Sequence, residues 1–484
     1  MLDDIVIGLE IHIQLLTKAK IFCNCSTTYF DQEPNTHTCP VCLGLPGSLP
    51  VLNQKVVEFA LKTALALNCK INQTNLFHRK NYFYPDLPKA YQISQFDQPI
   101  AINGFLEIVP ENSRTGRTIR VNRVHMEEDA GKLIHLERDG QIVCSLVDYN
   151  RSGIPLLEIV TEPDICSPEE AIAFLQKLRT MVQYLEVCDG NLEKGSMRCD
   201  ANISIRESRT GALGTKTEVK NMNSFRAIKK ALEFEITRQR RLLERSEQVL
   251  AETRRWDEAS GKTLSMRSKE EALDYRYFPE PDLPPLTIEQ SWIEQVKNNL
   301  PELPEQRKER FVIDYKLSNY DAQRLIEVKS LGNYFENAAQ YYQDYKNLAN
   351  WVLGELLRCL GEGNIAIESC TVSSNDLVEL LQLIDNKTIS GKMAKGIFEE
   401  MFKTGQSAAD LIKKSGITQI SNEAQINDII NKVIEDNPET VQDFNAGKEK
   451  AIHFLVGQVM KHTKGRAQPD LVLNLLKERI DKNS

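Results

Sequence analysis

Residues Ile5 to Leu15 read IVIGLEIHIQL, and their alternation decides the fold of the first half of the chain. Ile7, Leu9, Ile11, Ile13 and Leu15 alternate with Gly8, Glu10, His12 and Gln14. A period of two sends successive side chains to opposite faces of a β-strand. One face is therefore buried, and Glu10 and His12 share the other. DANISIR, Asp200 to Arg206, repeats the device with Ala201, Ile203 and Ile205 facing in. In IRVNRVHME the apolar phase shifts between Val121 and Val124. That shift predicts a β-bulge ahead of His125 and Glu127.

Helical signals sit between the strands and take over after them. Ser167-Pro168-Glu169-Glu170 offers an N-cap serine, a proline at the first helical position and a glutamate placed to close a capping box. Ile172, Leu175, Leu178, Val182 and Leu185 follow at helical spacing. A second helix is predicted from about Phe225 into the 240s, with Arg238, Arg240, Arg241 and Arg245 on it. Four prolines in DYRYFPEPDLPPL hold the backbone extended. They place a domain exit near residue 292. WVLGELLRCL and NDLVELLQLI beyond it are helical, with a break near Gly405. Strands first and helices after make the chain α+β, divided as 1–292, 293–405 and 406–484.

Bulk composition narrows the function. Of 484 residues, 41% are apolar and 26% charged, an ordinary balance for a chain that buries real cores. No run of eighteen apolar residues is present, so no membrane span is expected. MLDDIVIGLE carries two acids and runs straight into a strand, unlike a signal or transit peptide. A cytoplasmic location is the expectation. A net charge of −8 argues against broad, non-specific nucleic-acid binding but leaves room for a local basic surface. One candidate is the stretch from Lys448 onward, with eight Lys or Arg against four Asp or Glu. It reads equally as a solvated face.

The eleven cysteines include one patterned set. Cys23 and Cys25, then thirteen residues, then Cys39 and Cys42 give C-x-C and C-x-x-C. Two tight turns that bring four thiolates together suit a closed tetrahedral zinc site, structural rather than catalytic. HMEEDAGK, His125 to Lys132, raises a different question. Three consecutive acids form either a solvated turn or one wall of a cation site. Oxygen-rich sets with an imidazole suit Mg2+ or Mn2+, the ions of phosphoryl transfer. A P-loop is excluded: Gly261-Lys262-Thr263 ends like one, but its first glycine would have to stand at Trp256. RKNYFYPDLPKAYQISQF, Arg79 to Phe96, mixes aromatics and charges. It reads either as a base-stacking, phosphate-holding segment or as a packed surface hairpin.

Several long motifs occur together and in order: VIGLEIHIQL, RKNYFYPDLPKAYQISQ, RVHMEEDAGK, LVDYNRSGIPLLEIVTEPD, GSMRCDANISIR, TEVKNMNSFRAIKKALEFE and DYRYFPEPDLPPL. With ISGKMAKGIFEEM and KGRAQPDLVLNLL, they make the whole chain resemble the B subunits of tRNA-dependent amidotransferases. The resemblance implies a mixed-sheet cradle domain, an all-helical middle domain and a small helical tail that touches tRNA. It also implies a reaction. ATP phosphorylates the side-chain carboxylate of Glu on tRNA(Gln) or Asp on tRNA(Asn), and ammonia displaces the phosphate.

By the same resemblance, Glu10, His12, Glu127 and Glu128 are the catalytic, Mg2+-binding set. Lys89, Arg151, Arg198 and Lys220 are candidate phosphate contacts. Tyr82 and Tyr84 are candidates for the nucleotide or the terminal adenosine. Family members do not all carry the cysteine quartet, which fits a stabilising zinc. The chain has no glutaminase machinery, so an amidase-type A subunit would supply the ammonia and a small C subunit would brace the pair. The main alternative is a non-catalytic, zinc-containing RNA-binding protein.

Overall fold

The computed structural model describes residues 4–482 except 111, 112, 114, 139, 140, 207–210, 269–273, 416–422, 446, 447, 449, 464–466 and 468. Lys464 and Arg466 of the basic tail therefore lie outside the described residues. The chain divides into two compact units, Met1–Pro304 and Glu305–Ser484.

The first unit is built from the strands β1 (Ile5–Gln14), β2 (Lys70–Ile71), β3 (Thr74–Asn75), β4 (His78–Asn81), β5 (Tyr91–Ser94), β6 (Ala101–Ile108), β7 (Arg117–Glu128) and β8 (Lys132–Arg138). They are followed by β9 (Gln141–Asp148), β10 (Pro155–Thr161), β11 (Met197–Ile205), β12 (Thr217–Lys220), β13 (Glu252–Asp257), β14 (Lys262–Ser268), β15 (Phe278–Pro279) and β16 (Leu286–Thr287). Among the described residues, twelve strands form one sheet. Its main path runs β14-β13-β12-β11-β1-β10-β7-β5-β4-β15, with β6 and β2 branching from β7. The β12–β13 pair is parallel and its neighbours are antiparallel, so the sheet is mixed, as the α+β reading expects.

The strand β1 lies at the centre of this sheet, between β11 and β10. Its alternation holds: Ile7, Leu9, Ile11 and Ile13 are buried, while Gly8, Glu10, His12 and Gln14 are partly exposed. The buried face shares one core with helices α1 (Gln54–Ala66), α2 (Pro168–Tyr184), α3 (Phe225–Glu244) and α4 (Gln290–Asn298). The expected bulge is present. Val160 faces Arg123 but Thr161 faces Val121, so Asn122 is the extra residue, and Val121 and Val124 are both buried. Helix α2 begins at Pro168, and the Ser167 side chain accepts from the Glu170 N–H. Its capping box is displaced by one residue, because the Glu170 carboxylate takes the Cys166 N–H at 2.8 Å.

The prolines near residue 280 do not end the strands, since β16 follows them and pairs with β3, and Ile293 and Val296 of α4 still pack into the first core. In the second unit all described elements are helical. Two hydrophobic clusters occur there, one running from Phe311 to Ile412 and one from Ile426 to Ile480. Gly405, at φ +68°, ends the helix Gly391–Thr404, yet Ala408 and Ile412 fold back onto the earlier cluster.

Candidate active site and metal centre

Sheet pairing brings four strands together on the polar face. His12 lies directly opposite Glu158 on β10 and Arg198 on β11, and Glu158 lies opposite His125 on β7. Glu127, two residues beyond His125, projects from the same face. The His12 Nε2 atom lies 3.3 Å from both Glu127 Oε1 and Glu158 Oε2. His125 Nε2 lies 3.0 Å from Glu158 Oε2 and 3.8 Å from Glu127 Oε2. Ser94 donates to Glu127 at 3.2 Å.

Electrostatics follow from this sandwich of two imidazoles and two carboxylates. Burial disfavours a charged His12, but hydrogen bonds and attraction from Glu127 and Glu158 prevail and raise its pKa to about 10. Burial likewise opposes ionisation of the two glutamates, and the histidines hold both well below the usual carboxylate range. The ligand atoms of His12, Glu127 and Glu158 all lie within 4.8 Å of one another. One imidazole and two carboxylates at that spacing fit a divalent cation that prefers oxygen ligands.

The other expected residues fall in different places. Glu10 shares the polar face but stands opposite Asp200 and accepts from Asn202 at 2.8 Å, outside the trio. Glu128 points through the sheet to the opposite face, where it pairs with Lys89 and accepts from the Ile93 N–H at 2.9 Å. Consecutive strand residues must diverge in this way. Arg198 donates to Asp129 at 2.6 Å, and Arg151 donates to the Ala130 and Gly131 carbonyls. Lys220 pairs with Asp200 and Glu218. Tyr82 packs edge-on against Tyr275, whereas Tyr84 is exposed. The segment from Arg79 is a hairpin, β4 pairing with β5.

Two residues escaped the sequence reading. Glu158 is the only charged residue in the strand PLLEIVT, a signal that was available. Lys80 stands 4.9 Å from the Tyr275 ring centroid and 5.9 Å from that of Tyr82. Burial opposes its charge, but Glu127 and Glu158 hold its pKa above the usual lysine value.

Away from this face, Cys23, Cys25, Cys39 and Cys42 converge with their Sγ atoms all within 4.8 Å. Cys42 accepts from the Cys39 N–H at 3.2 Å, a bond typical of a turn that presents thiolates. A hydrogen bond from Cys23, aided by the charge of Lys20, lowers the Cys42 thiol to about 5. The Cys23 thiol is raised by the same bond, and burial raises Cys25 to about 11. Four sulfurs at this spacing fit a tetrahedral metal ion.

Comparison with known proteins places the chain in a family. Residues 5–294 match the GatB/GatE catalytic domain, and residues 333–480 match the GatB domain. The chain belongs to the GatB/GatE family. It is 53% identical over 477 residues to the B subunit of the aspartyl/glutamyl-tRNA(Asn/Gln) amidotransferase of Carboxydothermus hydrogenoformans, covering 99% of this chain and 98% of that one. The protein of the same name from Thermodesulfovibrio yellowstonii is 54% identical over 471 residues, 97% of this chain and 98% of the relative. The matched catalytic domain contains the whole four-strand site. Among the described residues, no helix is long and apolar enough to cross a membrane.

Proposed function

We propose that this member of the GatB/GatE family acts as the B subunit of an amidotransferase on Glu-tRNA(Gln) or Asp-tRNA(Asn), using ATP and ammonia to make Gln-tRNA(Gln) or Asn-tRNA(Asn). The observation that carries the reading is the meeting of His12, Glu127 and Glu158, from three adjacent strands, inside the matched catalytic domain. A carboxylate oxygen is a poor leaving group, and phosphorylation makes it a good one. Such a transfer needs positioning and charge neutralisation more than covalent help from the protein. Mg2+ bound by the trio would supply that neutralisation.

The chain's own residues add the rest. Lys80 places a fixed positive charge toward Glu127 and Glu158, where phosphate charge would gather. The Tyr82 and Tyr275 rings offer a stacking surface for the nucleotide or the terminal adenosine. Lys89, Arg198 and Lys220 already hold carboxylates, and each would contact phosphate only by exchanging that partner. The cysteine quartet has four ligands and no open position, so Zn2+ there would be structural.

Ammonia would come from an amidase-type A subunit, with a small C subunit bracing the pair, in the cytoplasm and with the helical tail against tRNA. The three hydrophobic clusters correspond, in this reading, to cradle, middle and tail. The match to a catalytic domain disfavours a non-catalytic RNA-binding role.

The test is conversion of Glu-tRNA(Gln) by the chain co-expressed with A and C subunits, with ATP, Mg2+ and ammonium supplied. His12→Ala and Glu158→Gln should each lose at least a hundredfold in rate while still binding tRNA. Normal conversion by both variants would remove the chemistry from this cluster.

A further inference from the structure

Lys20 is fully buried, at 0% exposure, three residues before the first cysteine of the quartet. A buried ammonium needs a counter-charge, because taking an unpaired ion out of water is strongly unfavourable. Lys20 has no carboxylate within 4.0 Å among the described residues. Its ammonium donates to the His37 carbonyl at 2.8 Å and points at Cys42 Sγ, 3.7 Å away. A carbonyl carries no net charge, so of these two partners only the sulfur can supply a counter-charge.

The surroundings fix this arrangement. The Lys20 N–H donates to the Cys25 carbonyl at 3.0 Å, which ties the lysine to the first cysteine pair. Asn53 donates to the carbonyls of Ala19 and Lys20 from the other side. Gly153, at φ +83°, lies against the stem: a Cβ there would be in ordinary contact, 3.5 Å from Lys20 Cδ and 3.5 Å from Cys42 Cβ. Lysine, both cysteine turns and Gly153 thus pack as one unit around the sulfurs.

Resting on the reading of the quartet as a metal centre, we infer that Lys20 is a built-in counter-ion of that centre, a positioning residue that neutralises thiolate charge without binding the metal. Four thiolates around a divalent ion leave two negative charges in a partly buried place. A fixed ammonium against Cys42 removes half of that excess. It also explains why a lysine stands where a methionine of similar length would cost nothing to bury. Outer partners of this kind typically change metal affinity ten- to a hundredfold.

The experiment measures Zn2+ retention by the full chain, co-expressed with its partner subunits, against a competing chelator. Lys20→Met removes charge and donor, and Lys20→Gln keeps a donor toward His37 without the charge. Both should hold Zn2+ ten- to a hundredfold less tightly. With Co2+ substituted, both should keep the thiolate charge-transfer bands of a four-sulfur site. A variant that folds only in excess Zn2+ has lost affinity and supports the inference. Wild-type retention by Lys20→Gln overturns it, since the lysine would then serve only the His37 carbonyl. Lost four-sulfur bands also overturn it, because Lys20 would then be shaping the site rather than its charge. Wild type that retains no Zn2+ under any condition would instead remove the metal reading itself.

Discussion

Glu127 and Glu128 are neighbours in sequence with opposite situations. Glu127 faces His12 and His125, and Glu128 faces Lys89 through the other side of the sheet. The acid run HMEEDAGK is therefore neither a solvated turn nor a single wall. Its three acids are buried and each has its own cation: two histidines for Glu127, Lys89 for Glu128 and Arg198 for Asp129. A substitution at each glutamate separates their roles. Glu127→Gln should raise the Mg2+ concentration needed for half-maximal conversion at least tenfold, because one charged ligand is lost. Glu128→Gln should leave that concentration unchanged and lower the Tm instead. Breaking a buried ion pair costs about 3 kcal/mol or more, and the stranded ion is Lys89. Titrations of conversion rate against Mg2+, with a melting curve for each protein, decide the matter. A Mg2+ shift in Glu128→Gln equal to that in Glu127→Gln would contradict the two-face assignment.

At the scale of single elements, helix α2 shows how far local signals reach. The Ser167 cap and Pro168 were legible, since both act through their own backbone. The partner of Glu170 was not, because its carboxylate also meets Arg117, at 2.7 Å, a residue brought near only by the sheet. Ser167→Ala should cost about 1 kcal/mol, seen as a Tm drop of about 2 °C. No measurable drop would mean that the Glu170 bond to Cys166 anchors the helix start alone. The same divide runs through the site. Period two in β1 was enough to put His12 on a polar face, and the phase shift in β7 was enough to find the bulge. Register was not legible. Whether His12 meets Glu158 or another β10 residue depends on pairing across more than a hundred residues of chain, and a slip by one would put Leu157 there instead. That is why Glu158 was missed and Glu10 expected in the trio.

For the molecule as a whole, the three hydrophobic clusters share no residue, and the cysteine quartet belongs entirely to the first unit. A structural metal contributes its binding energy to whatever folds around it. Here that is the stretch from Lys18 to Asn53, which is mostly loop and whose apolar contribution to the core includes Ile21 and Phe22. Such a segment has little secondary structure to hold it without the ion. Chelation should therefore lower the unfolding temperature of the first unit and leave the helical unit unaffected. Hydrogen exchange reads the two separately. Amides of β1 and of Lys18–Asn53 should lose protection when the metal is withdrawn, while those of the helices Ser374–Asp385 and Gly391–Thr404 should keep theirs. Equal loss in both units would mean that the chain unfolds as one cooperative body. Protection unchanged everywhere would mean that the quartet contributes nothing to the fold, and the four thiols would then need another reason to stand so close together.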